Sequence, residues 1–436
     1  MGARAAWLRV YAVGLFFTVL AGDFWRYSLT WYGWGAIIAL LFVVSLVIVI
    51  QNRHRWRLTS LPLPLLAFVA LTILSIAWSN YREFTVAGAI GTFATATGAF
   101  ALALRFTLRE LIRLLGHALR IVLAASILFE LVVSIFVRHA FTPWWTHYAV
   151  IHPADDWSRD VLFKDGKIQG IMGNSDLLAF VALLGVIVFA IEIASRSFNR
   201  VAGVVFLLLA IVEVGLTRSA TVFAAAAVVA VVAIVLLLIR RAPTPRARLA
   251  TWVVSLVVVL IGAVVVLVEH RAVLNLLGKT STFTGRTGIW TAVIKIAEQR
   301  PVAGWGWISY WVPHVAPYDI KAFRIGGVQY LQAHDAWLDL GVQLGIIGIV
   351  VFAALAISAL VRAWELAVDK PQLGAGTPGR YDPATLLPAL ILVALLDQSV
   401  AESRLLIEYG LLLLALIAIK TKRPDAPEPS SFARES

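Results

Sequence analysis

The stretch STFTGRTGIWTAVIKIAEQRPVAGWGW (281–307), followed after a polar loop by AHDAWLDLGVQLGIIGIVVF (333–352), decides how the chain is organised. The first segment is amphipathic and ends in a turn rich in Pro and Gly. The second changes from polar to continuously apolar within a few residues, which favours a segment entering a hydrocarbon core. Two ionisable residues, Arg286 and His334, therefore lie where we expect the mouth of a membrane-embedded bundle.

Composition extends this interpretation to the whole chain. Of the 436 residues, 60% are hydrophobic and the mean hydropathy is +0.86, and long apolar runs recur from end to end. A membrane-crossing helix needs about 20 apolar residues, whereas the strands of a membrane barrel alternate apolar and polar residues. These runs do not alternate, so we predict an all-α polytopic membrane protein.

The apolar runs predict about twelve transmembrane helices, with a large extracytoplasmic loop before the tenth span. The predicted spans are 7–22, 33–50, 62–78, 84–104, 116–137, 177–194, 201–217, 219–239, 250–268, 335–360, 384–398 and 404–420.

The domain organisation follows from these spans. Residues 1–422 form a single integral membrane domain that includes two long extracytoplasmic loops, 138–176 and 269–334. Residues 423–436 are rich in Pro, Ser and charge, and we expect a disordered cytoplasmic tail.

Charge patterning sets the predicted orientation. The net charge is +12, but most of the Lys and Arg residues form short clusters between apolar runs, such as RHRWR at 53–57 and RRAPTPRAR at 240–248. Such clusters indicate membrane topology rather than nucleic-acid binding, and they place both termini in the cytoplasm. The absence of cysteine excludes disulfides and thiol chemistry.

The loop before the tenth span has its own predicted structure. The sequence predicts a helix from Thr284 to Gln299, which Thr284 can cap. Ile289, Val293 and Ile296 lie on one apolar face of this helix. Pro301 follows its end, and Gly304-Trp305-Gly306-Trp307 predicts a tight turn with its tryptophans at the headgroup level.

His334 is the first candidate catalytic residue. It precedes a Gly-rich apolar helix, with Asp335 and Asp339 close by. A histidine at the outer end of such a helix can accept a proton near neutral pH. A histidine that only caps the helix fits the same pattern, so the residues alone leave both interpretations open.

Arg286 and Arg218 are candidate anion-binding residues. Arg218 lies in LTRSAT between two apolar runs with almost no connecting loop, where an arginine needs a partner or a water-filled cavity. Guanidinium groups bind diphosphates through paired hydrogen bonds, although either arginine alone could instead reach toward lipid phosphates. The two arginines together with His334 form the stronger pattern.

Four acids lie within or beside apolar runs: Glu130, Glu213, Asp397 and Glu402. Each could relay protons, but we favour structural pairing with an outer arginine such as Arg404 or Arg82. Histidines and aspartates in loop 138–176 match no metal-ligand spacing, so we expect no metal.

The combination GRT-x-x-W (285–290), PVAGWG (301–306), HDAWL (334–338) and GVQLGIIG (341–348) resembles the O-antigen ligase and O-antigen polymerase superfamily. LTRSA (216–220) and GNSD (173–176) are similar to that family's outer-face arginine motif and its Gly-Asn-rich span start. The family usually has His-Asn where this chain has His334-Asp335, and often Glu at the position of Gln343.

The resemblance implies inverting, metal-independent transfer of a glycan from a polyprenyl-diphosphate carrier to a glycan or glycolipid acceptor, without a cofactor or nucleic acid. The active site is then extracytoplasmic, on a multi-pass protein of the bacterial cytoplasmic membrane. His334 becomes the general base, Arg218 and Arg286 hold the diphosphate, and Asp335, Trp290 and Trp305 support them. Ligase, polymerase and protein O-oligosaccharyltransferase stay open, and a lipid or glycolipid flippase is the alternative from another class.

Overall fold

The computed structural model describes residues 3–146, 152–153, 155–268, 286–320, 324–325, 328–369, 372–373, 377–378 and 381–422. Helices dominate this part of the chain. In order they are α1 (Ala3–Leu20), α2 (Gly22–Gln51), α3 (Leu63–Leu74), α4 (Arg82–Arg105), α5 (Leu108–Val132), α6 (Ser175–Ala194), α7 (Arg200–Thr217), α8 (Ala220–Arg241), α9 (Pro245–Val268), α10 (Arg286–Ala297), α11 (Ala336–Val368), α12 (Leu387–Ser399) and α13 (Glu408–Lys422).

Short non-α elements connect these helices. Two antiparallel ladders of two residues per strand lie in the connections, formed by β1 (Arg324–Ile325) with β2 (Val328–Gln329) and by β3 (Gln372–Leu373) with β4 (Thr377–Pro378). Further single-turn 3-10 helices join the spans, and one of them, Ser403–Leu406, becomes important for the site.

Seven helices within the described ranges are long and apolar enough to cross a membrane, which establishes a polytopic, helical architecture. They are Gly22–Gln51, Arg82–Arg105, Leu108–Val137, Ser175–Ala194, Arg200–Thr217, Ala220–Arg241 and Ala336–Val368. Three apolar helices, Ala5–Leu20, Leu63–Ala77 and Pro383–Ser399, are shorter. The total of twelve spans stays a prediction. Thr284 and the tail 423–436 lie outside the described residues.

Several helix ends differ from the predicted span limits: α5 begins at Leu108 rather than at residue 116, and α11 ends at Val368 rather than at residue 360. The second span begins at Gly22 rather than at residue 33, with a non-helical residue, Thr30, inside it. The polar start of this helix is tolerated because Arg26 pairs with Asp23 one turn earlier, its Nε lying 2.9 Å from the carboxylate. The last helix begins at Glu408, because residues before it form a 3-10 turn.

The interior of the bundle is built around α6 and α13. Both are apolar on all sides and almost completely buried, as expected of helices surrounded by other helices. Helix α6 packs against α5 and α7, while α13 packs against α4 and α11. Helices α2, α7 and α8 expose apolar side chains such as Leu40, Leu208 and Ile234 toward the predicted lipid.

The PVAGWG turn is inserted into a break in α11. Gly345 has φ 63, so the helix is interrupted there. Its freed carbonyls at Val342 and Gln343 accept from the N–H groups of Trp305 and Gly306, both at 2.9 Å. In return, the N–H groups of Ile346 and Ile347 donate to the carbonyls of Pro301 (2.9 Å) and Val302 (3.3 Å). These four hydrogen bonds replace helical hydrogen bonds that are lost at the break, and buried backbone groups require such partners.

Candidate functional site

His334 lies at the junction between the long loop and α11. Its backbone is left-handed, with φ 53, a conformation that is uncommon for residues other than glycine and that is often found at functional sites. The helix starts immediately after it, because the Asp335 carboxylate accepts from the N–H groups of Trp337 (2.8 Å) and Leu338 (2.9 Å). Asp335 thus caps the helix, and this fixes the position from which the His334 side chain extends.

Glu402 joins the two candidate residues of the opening stretch. Its carboxylate oxygens lie 3.0 and 3.1 Å from His334 Nδ1, and one of them accepts from Arg286 Nη2 at 3.1 Å. Gln332 Nε2 donates to the other oxygen at 2.8 Å. One buried carboxylate therefore holds an imidazole, a guanidinium and an amide. We call these four residues, Arg286, Gln332, His334 and Glu402, the His334 site.

The electrostatics of the His334 site favour a charged carboxylate. Burial by itself raises the pKa of Glu402, but the neighbouring His334, Arg286 and Arg404 outweigh burial and hold this pKa below its ordinary value. A charged Glu402 accepts a hydrogen bond from the Nδ1–H group of His334, and in that tautomer the free lone pair of the imidazole is on Nε2. The site thereby presents a nitrogen that can accept a proton from a substrate.

Further hydrogen bonds fix the backbone next to His334 and next to Glu402. The Asp339 carboxylate accepts from the N–H of Ala333 at 3.0 Å, from Trp311 Nε1 at 2.7 Å and from the hydroxyl of Ser403. Ala333 precedes His334 and Ser403 follows Glu402, so one buried side chain holds both partners in place.

The two predicted supporting tryptophans hold different ends of α10. Trp290 Nε1 donates to the carbonyl of Ala333 at 3.1 Å, which ties the helix bearing Arg286 to the residue before His334. Trp305 Nε1 donates instead to the carbonyl of Ile296 at 3.1 Å, at the far end of the helix. The buried face of α10, Ile289, Val293 and Ile296, is as predicted.

Arg218 pairs with Asp165 and not with Glu402. It ends α7 with a left-handed backbone, φ 48, and its side chain pairs with Asp165, donating also to the Asp165 carbonyl at 3.0 Å. Both partners are exposed, by 47% for Arg218 and 86% for Asp165. Within the described part of the chain, no hydrogen bond or ion pair joins Arg218 to His334 or Arg286, so the structure brings together two of the three predicted groups.

The motifs that flank Arg218 nevertheless reach the site. Asp176 of GNSD, Thr221 after LTRSA, and Glu402 line one small internal cavity. Asn174 caps α6, accepting from the N–H of Asp176 at 2.9 Å, and Ser219 caps α8. With Asp335 capping α11, the helices α6, α8 and α11 all begin at this end of the bundle, and these three N-termini direct partial positive charge toward it.

Sequence reasoning did not find the role of Glu402. We expected it to pair with an outer arginine such as Arg404 or Arg82. The structure pairs it with a different arginine, Arg286, and also with His334. The available signal was an acid in the short AESR connection between two apolar runs. Glu130, in contrast, accepts from the hydroxyl of Ser158 and from two backbone N–H groups, so these partners of Glu130 are not arginines.

Comparisons with known proteins match part of the chain that carries these residues. Residues 203–353 match the family described as O-Antigen ligase. The exopolysaccharide production protein ExoQ of Rhizobium meliloti (strain 1021) is 30% identical over 89 residues, a match that spans 20% of this chain and 20% of that protein. The resemblance to the O-antigen ligase and polymerase superfamily is thereby confirmed. Arg218, Arg286 and His334 lie inside the matched segment, whereas Glu402 lies beyond it.

Proposed function

From the match to the O-antigen ligase family, we propose that the chain transfers a glycan from a polyprenyl-diphosphate carrier to an acceptor sugar. The reaction takes place at the outer face of the bacterial cytoplasmic membrane, with both termini in the cytoplasm. The observation that carries the proposal is the contact of Glu402 with both His334 Nδ1 and Arg286. This contact orients a basic nitrogen beside a fixed positive charge.

In the proposed step, His334 Nε2 takes the proton of the acceptor hydroxyl while the hydroxyl oxygen forms a bond to the anomeric carbon of the donor. The bond from that carbon to the diphosphate oxygen breaks on the opposite face, and its electron pair leaves with the diphosphate. Direct displacement inverts the anomeric configuration. Glu402 stabilises the imidazolium that forms, as carboxylates do beside histidine bases.

The leaving diphosphate is held by Arg286 and Arg218. Arg286 uses Nη2 for Glu402, and a guanidinium has five N–H donors, so further donors of Arg286 are directed to the substrate. The pair between Arg218 and Asp165 is exposed, and an exposed pair of this kind is weak and easily exchanged for a more highly charged ligand. The three helix N-termini add to the same positive potential. Because these groups supply the charge, the step needs no metal.

A reconstitution experiment tests this proposal. Purified protein is incubated with a polyprenyl-diphosphate oligosaccharide and candidate acceptors, and release of polyprenyl diphosphate is measured. We expect release that is abolished in His334→Ala and strongly reduced in Arg286→Gln. His54→Ala, which changes an exposed histidine far along the chain, is the matched control and retains activity. The anomeric configuration of the product reports inversion.

The same experiment separates the alternatives. Carrier that crosses a bilayer without cleavage of the glycosyl bond contradicts the transferase and supports a flippase. Product that grows by repeat units identifies a polymerase, transfer to a different glycolipid identifies a ligase, and transfer to a protein identifies an O-oligosaccharyltransferase. Release that persists in His334→Ala removes the proposed base.

A further inference from the structure

A large groove lies outside the His334 site. It has a volume of about 1040 Å³ and is bounded by α1, α2, α5 and the turn after α6. None of the four residues of the His334 site lines it. Its size is at the upper end of the range for sites that hold a small molecule. We call it the basal groove.

The wall of the basal groove is apolar over most of its height. Val10 and Leu40, which line it, are 72% and 63% exposed, and Ile121 on α5 is 48% exposed. Along α1 the lining extends from Arg9 to Thr18, which is about 14 Å at the rise of an α-helix. Half of a bilayer's hydrocarbon core is about 15 Å thick. The groove therefore has the height of the acyl layer of one leaflet.

One end of the groove is basic. Arg9 near the start of α1, Arg113 in the first turns of α5 and Arg196 after the end of α6 all line it, together with His117. The single acid in the lining, Glu110, accepts from the N–H of Thr107 at 2.9 Å and so caps its own helix. The other end, at Thr18 and Trp25, is uncharged. Charge and apolar surface are thus separated along the groove.

We propose that the basal groove binds one anionic phospholipid of the cytoplasmic leaflet. The phosphate of the headgroup lies among Arg9, Arg113 and Arg196, and the acyl chains lie against the apolar wall. Basic pockets between membrane helices on the cytoplasmic side bind anionic headgroups in this way, whereas a zwitterionic lipid carries no net negative charge. The assignment to the cytoplasmic leaflet rests on the proposed orientation, since these arginines lie at the helix ends opposite to the His334 site.

Native mass spectrometry of the detergent-solubilised full chain tests the proposal. The probes are phosphatidylglycerol and phosphatidylethanolamine with identical acyl chains, added at equal concentration. We expect the wild-type protein to retain phosphatidylglycerol in preference to phosphatidylethanolamine.

The double variant Arg113→Gln with Arg196→Gln is expected to bind phosphatidylglycerol about tenfold more weakly, because each arginine near a headgroup adds to the attraction. Its matched control, Arg241→Gln with Arg246→Gln, removes the same charge from exposed positions outside the groove and leaves binding unchanged.

A second variant tests the apolar part without removing charge. A Cβ added to Gly14, which lines the groove, meets no atom within 4 Å. The side chain of Gly14→Leu therefore starts in open space within the groove, and leucine favours a helix more than glycine does. We expect loss of the retained phosphatidylglycerol with no loss of thermal stability.

Three results would overturn the proposal: equal retention of the two lipids by the wild type, an equal loss in the control pair, or unchanged retention in Gly14→Leu. Because the readout is lipid retention, a failure here is distinct from a failure of the proposed transferase activity, which is measured as release of polyprenyl diphosphate.

Discussion

Glu402 is the residue on which the geometry of the site depends. It is 68 residues from His334 and 116 from Arg286 along the chain, yet its carboxylate lies within 3.1 Å of both side chains. A carboxylate in this position favours the tautomer of the imidazole in which Nδ1 carries the proton and Nε2 is the acceptor. Arg286 and His334 are held close to each other because both contact the carboxylate of Glu402.

The first prediction follows from this role. Glu402→Gln keeps the size of the side chain but removes the charge that stabilises the imidazolium. We expect kcat for glycan transfer to fall by about 10²- to 10⁴-fold, as in other histidine-carboxylate pairs, with a smaller change in KM for the donor. Steady-state release of polyprenyl diphosphate measures both constants.

The control for this variant is Glu298→Gln, an exposed glutamate beside α10. Each variant is compared at equal concentrations of monodisperse protein, so that loss of folded material is not counted as loss of rate. Wild-type kcat in Glu402→Gln would show that the carboxylate has no part in the reaction.

The pH dependence of stability gives a second prediction. The pKa of Glu402 is lower in the folded protein than its ordinary value. Its charged form therefore stabilises the fold above the unfolded pKa of about 4.3, and this contribution is lost as the pH falls through the folded value. We expect thermal stability to decrease from about pH 5 to about pH 3 less steeply in Glu402→Gln than in the wild type.

Thermal unfolding in detergent across this range measures the effect, with Glu298→Gln as the reference for a glutamate that is exposed. Identical pH slopes for Glu402→Gln and the wild type would contradict the inferred ionisation of Glu402.

At the scale of elements, the insertion of the PVAGWG turn into α11 determines how the long loop reaches the site. Gly304 has φ 67, and a Cβ there would overlap the carbonyl carbon of Gln343. Gly345, with φ 63, would overlap the carbonyl oxygen of Val302. The side-chain oxygen of Gln343 accepts from the N–H groups of Ile308 (2.9 Å) and Ser309 (3.0 Å), which extends the same contact. The two segments can pack this closely because both glycines lack a side chain.

The third prediction is that Gly304→Ala destabilises the fold by about 2–4 kcal/mol, because a left-handed backbone and a backbone clash both oppose the methyl group. Gly288→Ala is the matched control: a Cβ there meets open space within α10, so we expect equal or slightly higher stability. Thermal unfolding of both variants decides the point, and equal midpoints would show that the turn does not need its glycine.

At the scale of the whole molecule, a buried ionic network connects the first and last parts of the chain. Arg26 on α2 donates to Glu408 at 2.7 Å across 382 residues, and Arg404 pairs with Asp23 at 3.3 Å and with Glu408. Two arginines and two acids balance each other, which makes their burial tolerable. Arg404 also follows Glu402 by two residues, so the network anchors the connection that carries the site.

The fourth prediction concerns orientation in the membrane. The chain has no cysteine, so a single introduced thiol reports its own position without a background. We expect Phe163→Cys, at a side chain that is 68% exposed in loop 138–176, to react with a membrane-impermeant maleimide on intact spheroplasts. Arg246→Cys, in a basic cluster that the positive-inside rule places in the cytoplasm, should react only after permeabilisation. The reverse pattern would invert the proposed topology.

Much of the fold follows from local sequence. Apolar runs of membrane-crossing length predict helices, because a backbone in hydrocarbon must satisfy its own hydrogen bonds. The buried face of α10 and the capping of helices by residues such as Asn174 also depend on neighbours within a few positions. The start of α2 was misplaced because Asp23 and Arg26 look like a loop until Glu408, far along the chain, provides a buried partner.

The sequence by itself determined the class of this protein, a helical polytopic membrane protein that resembles the O-antigen ligase superfamily, since apolar length and short motifs are local properties. Only the tertiary structure decided that Glu402 joins His334 to Arg286, that Arg218 turns to Asp165, and that a turn is inserted into α11. The physical reason is that a buried charge or backbone group pairs with whatever partner the fold brings close to it. The spacing of residues along the chain does not show which groups the fold brings close together.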